Sequence, residues 1–337
     1  MSKHPPVHLI RQFELQASVE RLAQHAAPVA KMLAGAGLPA QTGQPGRGFV
    51  PGRRMLKFFA DGSRYMEQED FAFRAALRAP ESSLGSWGDR VCRCWRLRDA
   101  LHYFVAKLEG DVSFLESGIH FGEDHVWVWR RRFLPEKDPL GERQGEQHTL
   151  ASMVRVVREA AGPSWYPPEI RAESPASDWL LRAESLGGSS VCFGGDTIAI
   201  AVPYELIDLR LPHGKPANSI PPADELPTAA IDLAGSLQQA LAPLVGTEHM
   251  SMELAAEIAE SSPRTLRRRL DEEGTSFRGI LNRILFEAAE ERMKEPTLSL
   301  AEISGELGYA NEANFSRAFR CWTGETPSAY RRHRQVH

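Results

Sequence analysis

Four arginines, Arg264, Arg267, Arg268 and Arg269, fall within six residues in SPRTLRRRL (262–270). On a helix, Arg264, Arg267 and Arg268 share one face at i, i+3 and i+4, and Arg269 is rotated away. A guanidinium is a planar fork that bonds phosphate oxygens, or guanine O6 and N7, in pairs. Fifty residues on, Asn314 and Arg317 share a face at i, i+3, and Arg320 continues it. An isolated arginine-rich helix reads more simply as a solvated surface paired with Asp271 to Glu273. The elements that carry these residues decide between the two readings.

Those elements are legible. Ser262 supplies an N-cap and Pro263 the first helical residue, so a helix starts there and runs to about Glu273, stopped by Gly274. A short helix precedes it at Met252 to Ala259, and Ile231, Leu233, Leu237, Leu241 and Leu244 mark another over 231–244. A longer helix spans about Phe277 to Lys294 and closes before Pro296. Ser299 and Glu302 form a capping box for a helix ending near Gly308. Asn311 caps one running to about Trp322, Gly324 stops it, and Thr326-Pro327 opens a last short helix. Short helix, tight turn and second helix thus occur twice, at 252–273 and 299–322, the geometry that places a recognition helix in a DNA major groove. Leu254, Ile258, Leu266 and Leu270 supply the apolar positions of the first unit; Leu300, Ile303, Leu307, Phe315 and Phe319 supply those of the second. The intervening helix of ~18 residues is ~27 Å long, enough to hold two recognition helices about one DNA turn apart, so that one subunit reads two successive major grooves.

LAAEIAESSPRTLRRRLDEEGTSF and LSLAEISGELGYANEANFSRAFRCWTGETPSAYRR together resemble the DNA-binding domain of AraC/XylS-family transcriptional regulators over about 248–334. The resemblance implies base contacts at Arg264, Arg267 and Arg268 in the first unit and at Glu312, Asn314 and Arg317 in the second. It implies phosphate contacts at Thr265 and Ser316, and Arg320 joins them. It further implies double-stranded promoter DNA as partner, a homodimer, contact with RNA polymerase and an activator's role. Two positions depart from the family pattern: Glu260 stands where the first turn commonly has Gly, leaving that turn's geometry open, and Cys321 stands where a basic phosphate contact is usual.

Before this region, LPHGKPANSIPPADELPT (211–228) is too proline-rich for helix or central strand and reads as a linker. Residues 1–210 read as an α+β domain joined to the all-α C-terminal domain (229–337) with its two helix-turn-helix motifs. Helices are expected at 19–35, 53–78 (one or two), 96–108 and 150–161, and strands at 112–133, 167–172 and 196–202. VPGRRMLKFFADGSRYM (50–66), LRDALHYFV (97–105), AGPSWYPPEIRAESP (161–175) and FGGDTIAIAVPYELIDLRLP (193–212) are similar to the arabinose-binding type N-terminal domain of such regulators. The resemblance implies small-molecule sensing and dimerisation. Trp127 and Trp129 share one strand face and Val126 and Val128 the other; with His120 or His125 as polar handle the aromatics make a candidate effector pocket, against ordinary core packing as the plainer reading. His102 and His148 accompany no HExxH spacing, nucleophile elbow or phosphate-cradling loop, and Gly187-Gly188 and Gly194-Gly195 read as turns. Tyr65, Glu67 and Glu69 read as a solvated helix face.

The totals exclude other classes. With 337 residues, 42% apolar and 25% charged, the chain is neither fibrous nor wholly disordered. Its net charge of −4 lacks the basic balance usual for nucleic-acid binders. Residues 231–337 hold 13 Lys plus Arg against 16 Asp plus Glu, so any basic footprint lies in local strips. No apolar run approaches the ~18–20 residues of a membrane span, and the N-terminus has no apolar core of signal-peptide length. Cys92, Cys94, Cys192 and Cys321 make no disulfide framework, which fits the cytoplasm, and no second CxC pair completes a metal site with Cys92 and Cys94. No cofactor is expected. The competing classes are a protein-interaction module that has lost DNA binding and an alkyl-accepting repair enzyme, for which the required cysteine followed by His-Arg is absent.

Overall fold

Strand alternation organises the first half of the chain. In the computed structural model, residues 4, 6–39, 48–79, 85–176, 179–180, 186–215 and 228–335 are described. The chain divides into two units, 8–229 and 230–337, the latter also taking in the described residues before position 8. The first unit opens with β1 (Leu9–Arg11), α1 (Gln16–Gln24), α2 (Val29–Gly35), β2 (Phe49–Pro51), α3 (Gly52–Met66) and α4 (Phe71–Arg78). It continues through α5 (Gly85–Arg93), α6 (Leu97–Asp111), β3 (Leu115–Phe121), β4 (His125–Arg132) and α7 (Pro139–Ala161). β5 (Glu169–Arg171), β6 (Ser190–Cys192), β7 (Ile198–Pro203) and α8 (Tyr204–Ile207) complete it.

β1 and β2 form an antiparallel ribbon, and the other strands form one sheet in the order β3-β4-β7-β5-β6, with only β5 and β6 parallel. Along β4, Val126, Val128 and Arg130 are buried, while Trp127, Trp129 and Arg131 take the opposite face. Val126 and Val128 join Ile198, Ile200 and Val202 of β7 and Ile170 of β5 in a core closed by Leu150, Val154 and Val157 of α7. The tryptophan face is therefore the one turned away from the core.

α7 begins eleven residues before the expected helix at 150. Asp138 caps it, accepting from the Gly141 amide at 3.3 Å, with Pro139 in the first turn. Its first half carries Glu142, Gln144, Glu146 and Gln147, a polar run that nonetheless lies buried. Tertiary bonds account for this. Gln144 accepts from the Ala72 amide at 2.9 Å, and Gln144 and Gln147 both donate to the Glu69 carbonyl at 2.7 Å. Gly141 permits the close crossing on α3, since a Cβ there would stand 2.7 Å from the Leu56 carbonyl oxygen.

Other expectations need correction. The helix expected at 19–35 is broken at His25 to Pro28, where Ala26 takes φ 55°. Glu67 is the left-handed cap of α3 (φ 50°) and Glu69 lies in the following turn, so neither belongs to a helix face. Residues 216–227 of the linker lie outside the described residues. Residues 211–215 are docked on the first unit: Leu211 is buried and its amide donates to the Trp95 carbonyl, and the Lys215 amide donates to that of Arg93. Gly188 and Gly194 do sit in turns, with φ of 147° and 75°.

The second unit is helical: α9 (Leu233–Leu241), a 3-10 turn (Ala242–Leu244), α10 (Met252–Ile258), α11 (Pro263–Glu272), α12 (Phe277–Met293), α13 (Leu300–Glu306), α14 (Glu312–Thr323) and α15 (Pro327–Gln335). Val7 belongs to it, buried, its amide donating to Ser236 Oγ at 2.8 Å. Among the described residues no helix is long and apolar enough to cross a membrane.

Candidate nucleic-acid interface

Each end of the first helix pair follows from a side chain. Ser251 caps α10 by accepting from the Leu254 amide at 3.1 Å, and Ser262 caps α11 by accepting from the Thr265 amide at 3.1 Å. Between them the Glu260 amide donates to the Glu257 carbonyl and the Ser261 amide to that of Ala256, a Schellman closure. That closure needs a left-handed residue at its hinge, and Glu260 supplies it with φ 49°. The turn thus keeps the glycine geometry without glycine.

The second pair repeats the design. Ser299 and Glu302 form the expected reciprocal box, with the Ser299 amide donating to Glu302 Oε2 at 2.7 Å. The bonds from Ser299 hold the Glu302 carboxyl below its ordinary range. The Gly308 amide donates to Gly305 and the Tyr309 amide to Ser304, the same closure, here with glycine at φ 83°. Asn311 then caps α14 by accepting from the Asn314 amide at 2.9 Å.

These caps aim the helices. Leu266 and Leu270 of α11 are buried, which leaves Arg264, Arg267 and Arg268 exposed together, with Thr265 and Arg269 half-buried. Phe315 and Phe319 of α14 are buried, leaving Glu312, Arg317 and Arg320 exposed and Asn314 and Ser316 half-buried. Burying each of these apolar side chains contributes roughly 1.5–3 kcal/mol, which fixes the rotation of the helix and hence the polar face. Phe286, Trp322 and Tyr330 pack around Phe319, and Tyr330 donates to Glu290 at 2.6 Å, tying α12, α14 and α15 together.

Two polar links cross the exposed faces. Arg317 donates to Asn314 Oδ1 at 2.5 Å, so these two side chains present one joint surface. Arg268 donates to Glu272 at 2.6 Å, and the other Glu272 oxygen contacts His4 Nε2 at 2.8 Å. The Arg268 hydrogen bond keeps the Glu272 carboxyl below its ordinary range. The pairing anticipated for the arginine strip thus exists for Arg268, and the part of His4 in it has no signal in the sequence.

Two hollows of the first unit bear on a small-molecule site. His120, Trp127 and Trp129 line an open groove with Arg131, Arg171 and Asp196; His125, at the start of β4 opposite Pro203, is not in its wall. Arg171 stacks on Trp127 at 4.0 Å, and Arg131 pairs with Asp196 at 3.1 Å, so these charged side chains of the groove are already partnered. The second hollow, of about 60 Å³, lies on the core side, walled by Met55, Phe59, Phe104 and Leu108 and by Arg130, Arg132, Glu142 and His148. Sequence reasoning missed it because Arg130, Arg132 and the polar half of α7 look like solvated faces. Among the described residues no group of three side chains is arranged to hold a metal.

Residues 27–211 match the family described as the arabinose-binding domain of AraC transcription regulators, N-terminal, and residues 255–333 match a helix-turn-helix domain. The first match alone spans more than half of the chain. The chain belongs to the AraC family of transcriptional regulators. An uncharacterised HTH-type transcriptional regulator of Mycobacterium bovis is 27% identical over 272 residues, 74% of each chain. The HTH-type transcriptional regulator VirS of Mycobacterium tuberculosis is 26% identical over 201 residues, 56% of each. The crystal structure of the transcriptional regulator CdpR of Pseudomonas aeruginosa aligns over 95% of this chain and 98% of its own, with a TM-score of 0.43 at 17% identity. This AraC-family chain is thus a transcriptional regulator with a helix-turn-helix DNA-binding domain, joined to an α+β N-terminal region.

Proposed function

We propose that this regulator is a cytoplasmic, effector-responsive activator whose two helix-turn-helix units read successive major grooves of promoter DNA. One observation carries the reading: α11 and α14 each bury an apolar pair and thereby present Arg264, Arg267 and Arg268, and Asn314 and Arg317, as separate outward polar faces. Base contacts are assigned to these five residues and Glu312, and phosphate contacts to Thr265, Ser316 and Arg320. α12, with 17 residues and so about 26 Å of length, suits two helices set near one DNA turn apart.

In this account a small molecule binding the first unit shifts the population of DNA-competent states, which requires different affinity for the two. A homodimer doubles the phosphate contacts and raises effective concentration at paired half-sites, and contact with RNA polymerase completes activation. The test is Arg317→Ala on the full chain at a site selected from genomic fragments. Loss of about 1–3 kcal/mol there, with relaxed preference at one base, is expected. An equal loss on random DNA makes Arg317 a phosphate contact instead, and no binding to any promoter-length duplex favours the interaction-module reading.

A further inference from the structure

A third hollow of the first unit opens between α1 and α4 and measures about 280 Å³. Its floor is made of small residues: Ala17 of α1 and Ala75 of α4 are both buried, and neither is long enough to fill the space between the helices. Its walls are cationic. Arg21 lies one turn beyond Ala17 on α1, and Arg74 and Arg78 lie one turn apart on α4, so three guanidiniums from two helices line one space. Burial first, then the charges of Arg74 and Arg78, push the Arg21 guanidinium below its ordinary range, and Asp70 opposes them only in part. At Arg21 the surrounding charge is therefore net positive.

Ion pairing consumes little of this charge. Arg74 Nε donates to Asp70 at 2.6 Å, Arg21 donates to the uncharged Gln68 at 2.7 Å, and among the described residues Arg78 pairs with no carboxylate. Glu20, on the same wall, accepts from Gln16 at 2.7 Å. Arginine in the last turn of a helix is commonly explained by the partial negative charge of the carbonyls there. Here those carbonyls have other donors: Arg155 donates to that of Ala76 at 2.9 Å, and His25 Nδ1 to that of Arg21 at 2.9 Å. Like charges gathered around a hollow cost stability until an anion joins them. The forks select its shape. One guanidinium satisfies a single carboxylate, whereas a phosphate monoester offers three oxygens in different directions and so meets both walls. A volume just under the ~300–1,000 Å³ of small-molecule sites suits a small ester. The apolar side chains on the walls are alanines, too short to enter a lipid layer, so the ester is a soluble one.

We infer that this cleft binds the phosphate group of a small soluble phosphate monoester between Arg21, Arg74 and Arg78. The site rests on the cleft alone, and its regulatory meaning rests on the effector-responsive reading. Thermal unfolding of the full chain tests it, with glycerol 3-phosphate, inorganic phosphate and acetate as probes and potassium chloride holding the ionic strength constant. Glycerol 3-phosphate and phosphate raise the melting temperature by a few degrees at about ten times their dissociation constants, and acetate does not. Arg78→Gln, at an exposed side chain, raises the concentration needed for that shift about tenfold, and Arg74→Gln does the same. Arg267→Gln, which takes the same charge from the DNA-binding unit, leaves the phosphate shift in place. No shift, an equal shift with acetate, or a shift unchanged by Arg78→Gln overturns the site. Sedimentation with phosphatidic acid vesicles, without a response to glycerol 3-phosphate, gives the chemistry to a lipid headgroup and overturns the soluble ester. Binding of glycerol 3-phosphate that leaves promoter affinity unchanged overturns the regulatory meaning and leaves the site standing.

Discussion

The two helix-turn-helix turns form an internal comparison. Both close with the same pair of backbone bonds, yet one is hinged on Glu260 at φ 49° and the other on Gly308 at φ 83°. A left-handed L-residue costs about 1–2 kcal/mol, and glycine returns about 0.5–1 kcal/mol of that through its freer unfolded chain. Glu260→Gly therefore stabilises the first turn by about 0.5–1 kcal/mol, and Glu260→Ala, which keeps the strained backbone, does not. Conversely, a Cβ at Gly308 meets nothing within 4 Å, so Gly308→Ala costs the second turn a similar amount through backbone strain alone. Amide hydrogen exchange on the full chain reads each turn separately. Protection across 252–273 should rise roughly two- to five-fold in Glu260→Gly relative to Glu260→Ala. Equal protection in these two variants would refute the claim that the first turn carries stored backbone strain.

Three further outcomes are expected. Gly246→Ala should lower the melting temperature of the DNA-binding unit by more than Gly308→Ala does, because at φ 78° its Cβ would stand 2.1 Å from the Glu306 carbonyl oxygen; a calorimetric scan showing equal shifts argues against that close approach. Burial pushes the Cys94 thiol up to about 11, so near pH 8 roughly a thousandth of it is thiolate. Iodoacetamide should label exposed Cys192 and Cys321 first and leave Cys94 unmodified, as peptide mass mapping will report. Arg11 and Asp111 are bonded in the core, so Asp111→Ala should cost about 3–5 kcal/mol in urea unfolding, while Arg11→Met with Asp111→Leu recovers most of it. A cheap single substitution contradicts the buried pair.

Legibility from the sequence followed the locality of the signals. Ser251, Ser262, Ser299 and Asn311 each cap the helix that follows them, and the C-terminal helices fall within about two residues of where these caps and Gly274, Gly308 and Gly324 put them. The polar faces of α11 and α14 were equally readable, since apolar spacing fixes their opposite sides. The first unit hid what depends on distant partners. The early half of α7 is polar because Ala72, Glu69 and Ser174 bond to it, and β1, β2 and β6, three residues each, carry too little pattern to register. Trp127 and Trp129 make the face that the sequence marks as chemically rich, whereas the core-side hollow lies beneath the other face, beside Arg130 and His148.

In the proposed function, one subunit reads two successive major grooves with two separate polar faces. Methylation protection of guanine N7 by the full chain, on a selected genomic fragment, tests it most directly. Two protected clusters per subunit are expected, about 10–10.5 base pairs apart, with Arg267→Ala removing one and Arg317→Ala removing the other. A single cluster, or two variants that erase the same guanines, would contradict it.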